Sequence, residues 1–567
     1  MIFPVPLVTL KNQICVIVCI LIWASVIISS PLASAQSQEL RVGQSVKQDF
    51  SAESSDSYTI ALQKGAFVKL AVEEEDAGVL VSIFRPDGTL VDSFDALIRK
   101  IGDPHVRFLA DTTGDFRIQI TADRLSWLRP GTYELHLSEI IDNRTFQSRQ
   151  EEKGSLNREV ATWIEEHALN LPLSGAPTGL NDLEPLKQTL ANVRVVGLGE
   201  ATHGTSEFFM AKRRLVEFLV TELNFTVFAI EASFSACEEI NDYVAGKDID
   251  LKTALANLGY WMWNTEEVAS LIEWMREYNT RASNDKRIRF VGIDIQSNAK
   301  ALEVVGDYVR RHVPELSVYA DSTIALFRVV ERKVPDEQLL EVRDSLDALI
   351  AEFMLRESQL IIGGTELAFE KALQHLLVLR QWTDFQEDFP LQAYKRDFHM
   401  AQNVLTILRQ REPGTRIALW AHNVHLSKGE KVLDGSPAVG YVLKDALGDA
   451  YYAVAFEFSQ GAFRAFEQTA SGDFIGLHEL TLMQESVGSL GSALKQTGLD
   501  PFIVDLRSVR ATETTSEWVN KLFDMHVIGG RFGADWTLFK WMKPVKLFEE
   551  FDGLVYVSQS SPSKPSQ

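Results

Sequence analysis

The hydrophobic rhythm of this chain changes once, between residues 142 and 158, and that change constrains the fold more than any other feature. Before it, short apolar–polar alternations such as Tyr58–Leu62, Phe67–Val72, Leu80–Phe84, Phe116–Ile120 and Tyr133–Leu137 are separated by turn residues at Lys64-Gly65, Pro86-Asp87-Gly88, Gly114-Asp115 and Pro130-Gly131. Period-two runs at this spacing predict an all-β sandwich over residues 36–142. A polar stretch, Asp142–Asn157, reads as a linker. After it, buried-strand candidates alternate with long helical patterns: Val193–Leu198, Val227–Ile230, Ile288–Ile293, Ile417–Trp420, Tyr451–Phe456, Phe502–Val504 and Leu554–Val557. That alternation predicts an α/β domain over residues 158–558 with a mostly parallel sheet. Between about 299 and 408 the apolar spacing turns helical, at Leu339, Val342, Leu346, Leu349 and Ile350 and again at Leu367, Ala372, Leu376, Leu377 and Leu379. An insertion of this size either roofs a pocket or forms a plain bundle. The Ser/Pro-rich end, residues 559–567, is expected to be disordered.

Residues 1–35 hold one cation, Lys11, an apolar run from Ile14 to Ile28, and the small-residue pattern Ala33-Ser34-Ala35. This reads as an export signal cleaved after Ala35, with an uncleaved membrane anchor as the rival. Of three cysteines, Cys15 and Cys19 fall in that leader, so Cys237 alone remains and no intrachain disulfide can form. The formal net charge of -22 repels nucleic acid and anionic lipid. The expected partner is therefore a neutral or cationic small molecule, reached in the periplasm or outside the cell, with no membrane contact beyond export or the anchor.

Each of four candidate strands ends in chemistry. The first runs into Glu200 with His203 three residues on, the second into Glu231, the third into Asp294, and the fourth into His422 with His425 behind it. Parallel strands place their carboxyl ends along one edge of a sheet, where open α/β folds bind ligands, so these residues are expected to converge. Taken singly, each has an ordinary structural reading. Of eleven histidines, however, three fall at two strand ends beside acids.

Five segments, GEATHGTSEFF (Gly199–Phe209), IEAS (Ile230–Ser233), GIDIQS (Gly292–Ser297), RDFHMAQN (Arg396–Asn403) and AHNVHLSK (Ala421–Lys428), resemble the erythromycin esterase family in order and spacing. The PDG turn at Pro86–Gly88, the TGDF step at Thr113–Phe116 and the PGTYELHL stretch at Pro130–Leu137 resemble the bacterial pre-peptidase C-terminal domain, which implies an accessory β-sandwich without catalytic residues. The esterase resemblance implies a hydrolase of cyclic esters. It makes His203 the essential histidine, Glu200 and Glu231 the active-site acids, and His422 and His425 the later pair. Lys212, Asp294, Arg396 and Asn423 are assigned to substrate contact. Lys212 stands where many relatives have arginine, and it lacks that residue's two-pronged contact.

The residues themselves support the same chemistry. Neutral imidazole is suited to take a proton from water near neutral pH, and a carboxylate on its other nitrogen sets the tautomer. His203 is expected to be the general base, with Glu200 or Glu231 orienting it. His422, His425 or amides near Gly204 would meet the oxyanion. No G-x-S-x-G elbow occurs, and Cys237 falls on an expected helix, so attack by water is preferred to a covalent route. No cofactor is expected. The rival enzyme reading is a divalent metal held by the same Glu/His set. A third reading is a secreted binding protein that has lost its chemistry, against which the complete ionisable set argues. Phe208, Phe234, Trp261, Trp263 and Asn423 are the pocket-wall candidates, with core packing as the alternative for each aromatic.

Overall fold

A computed structural model describes residues 37–566 apart from 52–53, 76–77, 96–104, 123–130, 157, 174–178, 298, 330–335, 364, 387–390, 411–413, 431–435, 483–486, 510–515 and 534–539. The expected leader at residues 1–35 lies outside the described residues, as does Pro130 of one expected turn. Among the described residues, no helix is long and apolar enough to cross a membrane.

The first region folds as two packed sheets. One runs in the order 38–39, 55–62, 114–122, 79–84, 90–95, and the other in the order 45–50, 131–141, 67–75, 105–109. Strict alternation of buried and part-exposed residues along Val79–Phe84 shows why period two decided this architecture: one face of each strand meets the other sheet and one meets water. The linker is a correction. Asn143–Gly154 is a helix, started by Asp142, whose carboxylate accepts from the Thr145 amide at 2.8 Å. Phe146 on this helix stacks on Phe67 of the sandwich with ring centroids 5.0 Å apart. A polar stretch with one well-placed aromatic is enough to dock.

The second region is built on a sheet ordered 169–170, 502–505, 553–560, 451–468, 195–198, 417–420, 227–233, 289–294. The five pairings from 553–560 across to the edge strand 289–294 are parallel, and the two at the 502–505 end are antiparallel. Both faces are covered. Val196, Leu198, Phe228, Ile230, Ala418 and Trp420 enter one core, while their neighbours Val195, Val227, Ala229, Ile417 and Leu419 enter the other. Burial on both sides is the reason these strands read as unbroken apolar runs rather than alternations. The strand Tyr451–Gln468 outruns the sheet and pairs with Phe474–Leu482 in a hairpin, a feature that periodicity did not mark. Helices 299–312, 317–329, 336–355, 357–363 and 366–384 of the insertion pack around Leu346, Leu349, Phe353 and Leu376, and helix 391–409 returns to the sheet, with Met400, Ala401 and Val404 in its second core.

The tail is a second correction. The last strand extends to Ser560, and beyond it Pro562 and Pro565 form backbone bridges with Thr205 and Thr265. Its polar composition hid this order, because the hydrogen bonds come from backbone groups whose partners lie far away in sequence.

Candidate active site

Strands 195–198, 417–420, 227–233 and 289–294 are immediate neighbours, in register with Leu198 opposite Trp420, Ile230 opposite Trp420 and Ile230 opposite Gly292. Their carboxyl ends therefore share one edge, and Glu200, His203, Glu231, Asp294, His422 and His425 sit on it. The register between Val227–Ser233 and Arg289–Asp294 slips between Ile230 and Ser233. Such an irregularity re-aims side chains, and it falls at Glu231. Gly199 is required at the first turn: a Cβ there would stand 2.1 Å from Asn423 Oδ1 and 2.7 Å from the Val454 carbonyl.

The first cluster surrounds Glu200, which is fully buried. His203 Nδ1 donates to Glu200 Oε1 at 2.5 Å, Trp420 Nε1 donates to Oε2 at 2.9 Å, and the Lys212 ammonium also donates to Oε2. Burial alone would keep this carboxyl protonated, but the Lys212 charge and the His203 bond outweigh it and hold its pKa below the ordinary value. Lys212 is itself lowered to about 8 by burial, with Glu200 opposing the fall. A carboxylate only accepts, so the bond places the His203 proton on Nδ1 and leaves the Nε2 lone pair. Among the described residues Nε2 meets no donor, and the ring edge lies against Gly529 and Gly530.

The second cluster is a chain of alternating charge. Arg396 donates through Nη2 to Asp294 Oδ2 at 2.6 Å and to Glu231 Oε1 at 2.7 Å, and through Nε to Asp294 Oδ1 at 3.1 Å. His425 lies between two acids, with Nδ1 2.9 Å from Asp397 and Nε2 3.1 Å from Glu231. Burial would discharge this imidazole, but the two carboxylates prevail and raise it to about 10, so it is a cation at neutral pH. With both nitrogens protonated, the 3.3 Å approach of Arg396 Nη1 to His425 Nε2 is a contact rather than a hydrogen bond, and Nη1 keeps its protons. Glu231 is held well below its ordinary value: burial opposes ionisation, and His425 and Arg396 overcome it. Its Oε2 also accepts from the His422 amide at 3.0 Å.

His203, Glu231, Asp294, Arg396 and His425 line one cavity of about 600 Å³, with Tyr260, Trp261 and Trp263 as an aromatic wall and Arg531 and Phe466 beside them. Four assigned residues do not line it. Lys212 is fully buried beneath Glu200, with its ammonium 4.1 Å from the Trp420 ring, so it steadies the acid instead of touching substrate. Asn423 is equally buried and bridges the Phe456 amide and carbonyl at 3.0 and 2.8 Å, tying the turn after strand 417–420 to strand 451–468. Glu200 acts on the cavity through His203. His422 packs on His203 with ring centroids 5.1 Å apart, but its Nδ1 accepts from the Val424 amide and its Nε2 donates to the Ala201 carbonyl, both at 3.3 Å. Burial first, and the neighbouring imidazoles of His203 and His425 next, lower it to about 3, with Glu200 and Glu231 opposing the fall. With both nitrogens engaged, it has no proton for an oxyanion. The Gly204 amide is spent on Thr202 Oγ1 at 3.0 Å.

Of the expected wall aromatics, Trp261 and Trp263 are in place, Phe208 is core, and Phe234 lines a separate cavity. Sequence reasoning passed over Asp397 and Tyr260. Asp397 had a signal, since it adjoins Arg396 within the quoted RDFHMAQN segment. Among the described residues no three His, Cys, Asp or Glu side chains are grouped to hold a metal ion.

The family profile described as erythromycin esterase matches residues 220–560. Erythromycin esterase type II of Escherichia coli is 23% identical over 432 residues, 71% of this chain and 98% of that protein. A putative hydrolase of Bacillus subtilis (strain 168), YbfO, is 25% identical over 433 residues, 71% of this chain and 91% of its own. Among solved structures, a succinoglycan biosynthesis protein superposes with a TM-score of 0.62 at 25% identity, over 72% of this chain and 98% of that one. A mutant of the erythromycin esterase EreC in its open conformation superposes at 0.55 and 16% identity, over 71% and 99%; that likeness speaks for the fold. The family profile spans more than half of the sequence, so this chain belongs to the erythromycin esterase family.

Proposed function

We propose that this protein hydrolyses a carboxylic ester, with a macrocyclic lactone as one candidate substrate, by direct attack of a water molecule that His203 deprotonates. The observation that carries this reading is the His203 imidazole, its Nδ1 engaged by buried Glu200 at 2.5 Å and its Nε2 side open on the cavity. Water adds to the acyl carbon as its proton passes to Nε2. The tetrahedral intermediate then collapses, the C–O bond to the alcohol breaks, and the leaving oxygen takes that proton, giving acid and alcohol. Arg396, Arg531 and the His425 cation line the cavity; His425 spends both ring protons on Asp397 and Glu231 and adds only its charge, so Arg396 Nη1, which keeps its protons, is assigned to the developing oxyanion.

Two features favour water over a covalent nucleophile. Ser, Thr and Cys do not occur among the residues lining this cavity. Cys237 is buried elsewhere, and burial pushes its thiol well up. A metal-dependent route is disfavoured by prior engagement, since Glu231, Asp294 and Glu200 each already accept from at least two donors. The leader read in residues 1–35 favours a periplasmic or extracellular protein, with an uncleaved membrane anchor as the rival.

The test is the purified full chain against chromogenic esters and macrocyclic lactones, with chelator, with added zinc or manganese, and as His203→Ala. Turnover that survives chelation and disappears in His203→Ala is expected. Turnover restored only by metal replaces imidazole chemistry with metal chemistry, and silence on every ester leaves a binding protein.

A further inference from the structure

The segment Ser561–Ser566, which follows the last strand, touches the cavity's supports at two places. At the first, it runs antiparallel past the start of helix Ser206–Leu223: the Ser206 amide donates to the Ser561 carbonyl, and the Ser563 amide donates to the Gly204 carbonyl, both at 2.9 Å. That helix is entered from Thr205, whose side chain makes no capping bond, and the segment supplies an acceptor to one of the first amides that the helix itself cannot pair. Glu207 in its first turn accepts from the Ser561 amide at 2.7 Å and from the Ser561 hydroxyl. At the second place, the Glu266 amide donates to the Lys564 carbonyl at 2.8 Å, the Ser566 amide donates to the Asn264 carbonyl at 3.2 Å, and Glu267 accepts from the Lys564 amide at 3.2 Å.

These anchor points adjoin the cavity. Gly204 follows His203 directly, and Asn264 follows the aromatic wall Tyr260–Trp263. The Gly204 carbonyl accepts a second bond, from the Arg464 amide at 3.0 Å, and a Cβ at Gly204 would stand 2.0 Å from the Arg464 carbonyl oxygen. The turn carrying the imidazole is thus clamped between a strand of the sheet and the segment. The Trp263 ring lies 6.3 Å from the His203 ring, so displacement of either support changes the space in which ester and water must meet.

We propose that Ser561–Ser566 is a positioning strap for catalysis, holding the His203 turn and the Tyr260–Trp263 wall at their working separation. The proposal rests on His203 as the base. The strap bonds the backbone of both turns and does not line the cavity, so its release loosens geometry more than ground-state binding. The fall is expected in kcat, with KM moving far less.

The test compares Ser563→Pro, which deletes the amide donated to Gly204, with Ser563→Ala, which keeps it; the Ser563 hydroxyl is buried without a partner. In the full chain, Ser563→Pro should lower kcat roughly tenfold to a hundredfold, with Ser563→Ala close to wild type. Hydrogen exchange at the Ser206 amide should speed up in Ser563→Pro only, and the nitrogen-15 resonances of the His203 ring should broaden. Wild-type kcat in a Ser563→Pro protein whose Ser206 amide exchanges fast would overturn the proposal, as would an unbroadened His203 ring. The ring and exchange readouts decide the strap even if wild type cleaves no ester tried, a result that would count against the hydrolase reading alone.

Discussion

Two turns on the same sheet edge carry the same kind of residue to opposite ends. The turn after Val195–Leu198 holds one imidazole, His203, with Nδ1 occupied by Glu200 and Nε2 unoccupied. The turn after Ile417–Trp420 holds two, His422 and His425, and all four ring nitrogens have partners. Within that second turn the environments diverge again: burial outweighs the pull of Glu200 and Glu231 and keeps His422 neutral, and direct bonds to Asp397 and Glu231 outweigh burial and keep His425 charged. Proximity to a cavity does not make a histidine a base. The vacant lone pair does, and it follows from what the rest of the fold presents to each ring nitrogen.

The comparison predicts unequal losses. His203→Ala should reduce ester turnover by about 10²–10⁴-fold with little change in melting temperature, whereas His422→Asn should cost far less in the chemical step. Equal losses would erase the distinction between the two turns. Next in size, Arg396→Ala leaves Asp294 and Glu231 buried without their shared cation and should destabilise the fold by about 3–5 kcal/mol in denaturant titration, with Arg396→Lys recovering only part.

The opposed histidines also predict a dome of stability against pH. His425 is raised to about 10, so its contribution is complete below the unfolded value of about 6.5 and is lost as pH rises toward 10. His422 is lowered to about 3, so its contribution is complete above that same unfolded value and is lost as pH falls toward 3. Each limb has a slope of at most about 1.4 kcal/mol per pH unit. Asp397→Asn should flatten the alkaline limb and leave the acid limb in place; a change in the acid limb instead would reverse the two assignments. The smallest expected effect is at Lys212→Met, where the Glu200 carboxyl loses the charge holding it down, so the acid limb of activity moves to higher pH and turnover falls roughly tenfold at neutrality. An unmoved pH profile would show that Lys212 does not set the state of Glu200.

Much of this could be read from residue order. Apolar runs with acids or imidazoles at their ends located four strand ends, because a strand covered on both faces has no freedom to be polar until it leaves the sheet. Lys212 carried a legible warning too. It falls in the stripe Phe208, Lys212, Leu215, Leu219, whose spacing marks the buried face of a helix, so its charge required an inward partner. Asn423 and the Ser561–Ser566 segment gave no such sign: Asn423 bonds a backbone thirty-three residues away and the segment bonds one more than three hundred away, and neither leaves a local pattern.

The sequence by itself determined which residues reach the sheet edge, since hydrophobic periodicity is local and parallel topology carries strand ends together. Only the tertiary structure decided what each of them does there. The protonation and exposure of His203, His422 and His425 depend on partners brought from remote parts of the chain, and Coulomb attraction and desolvation act over ångströms of space, not along the polypeptide.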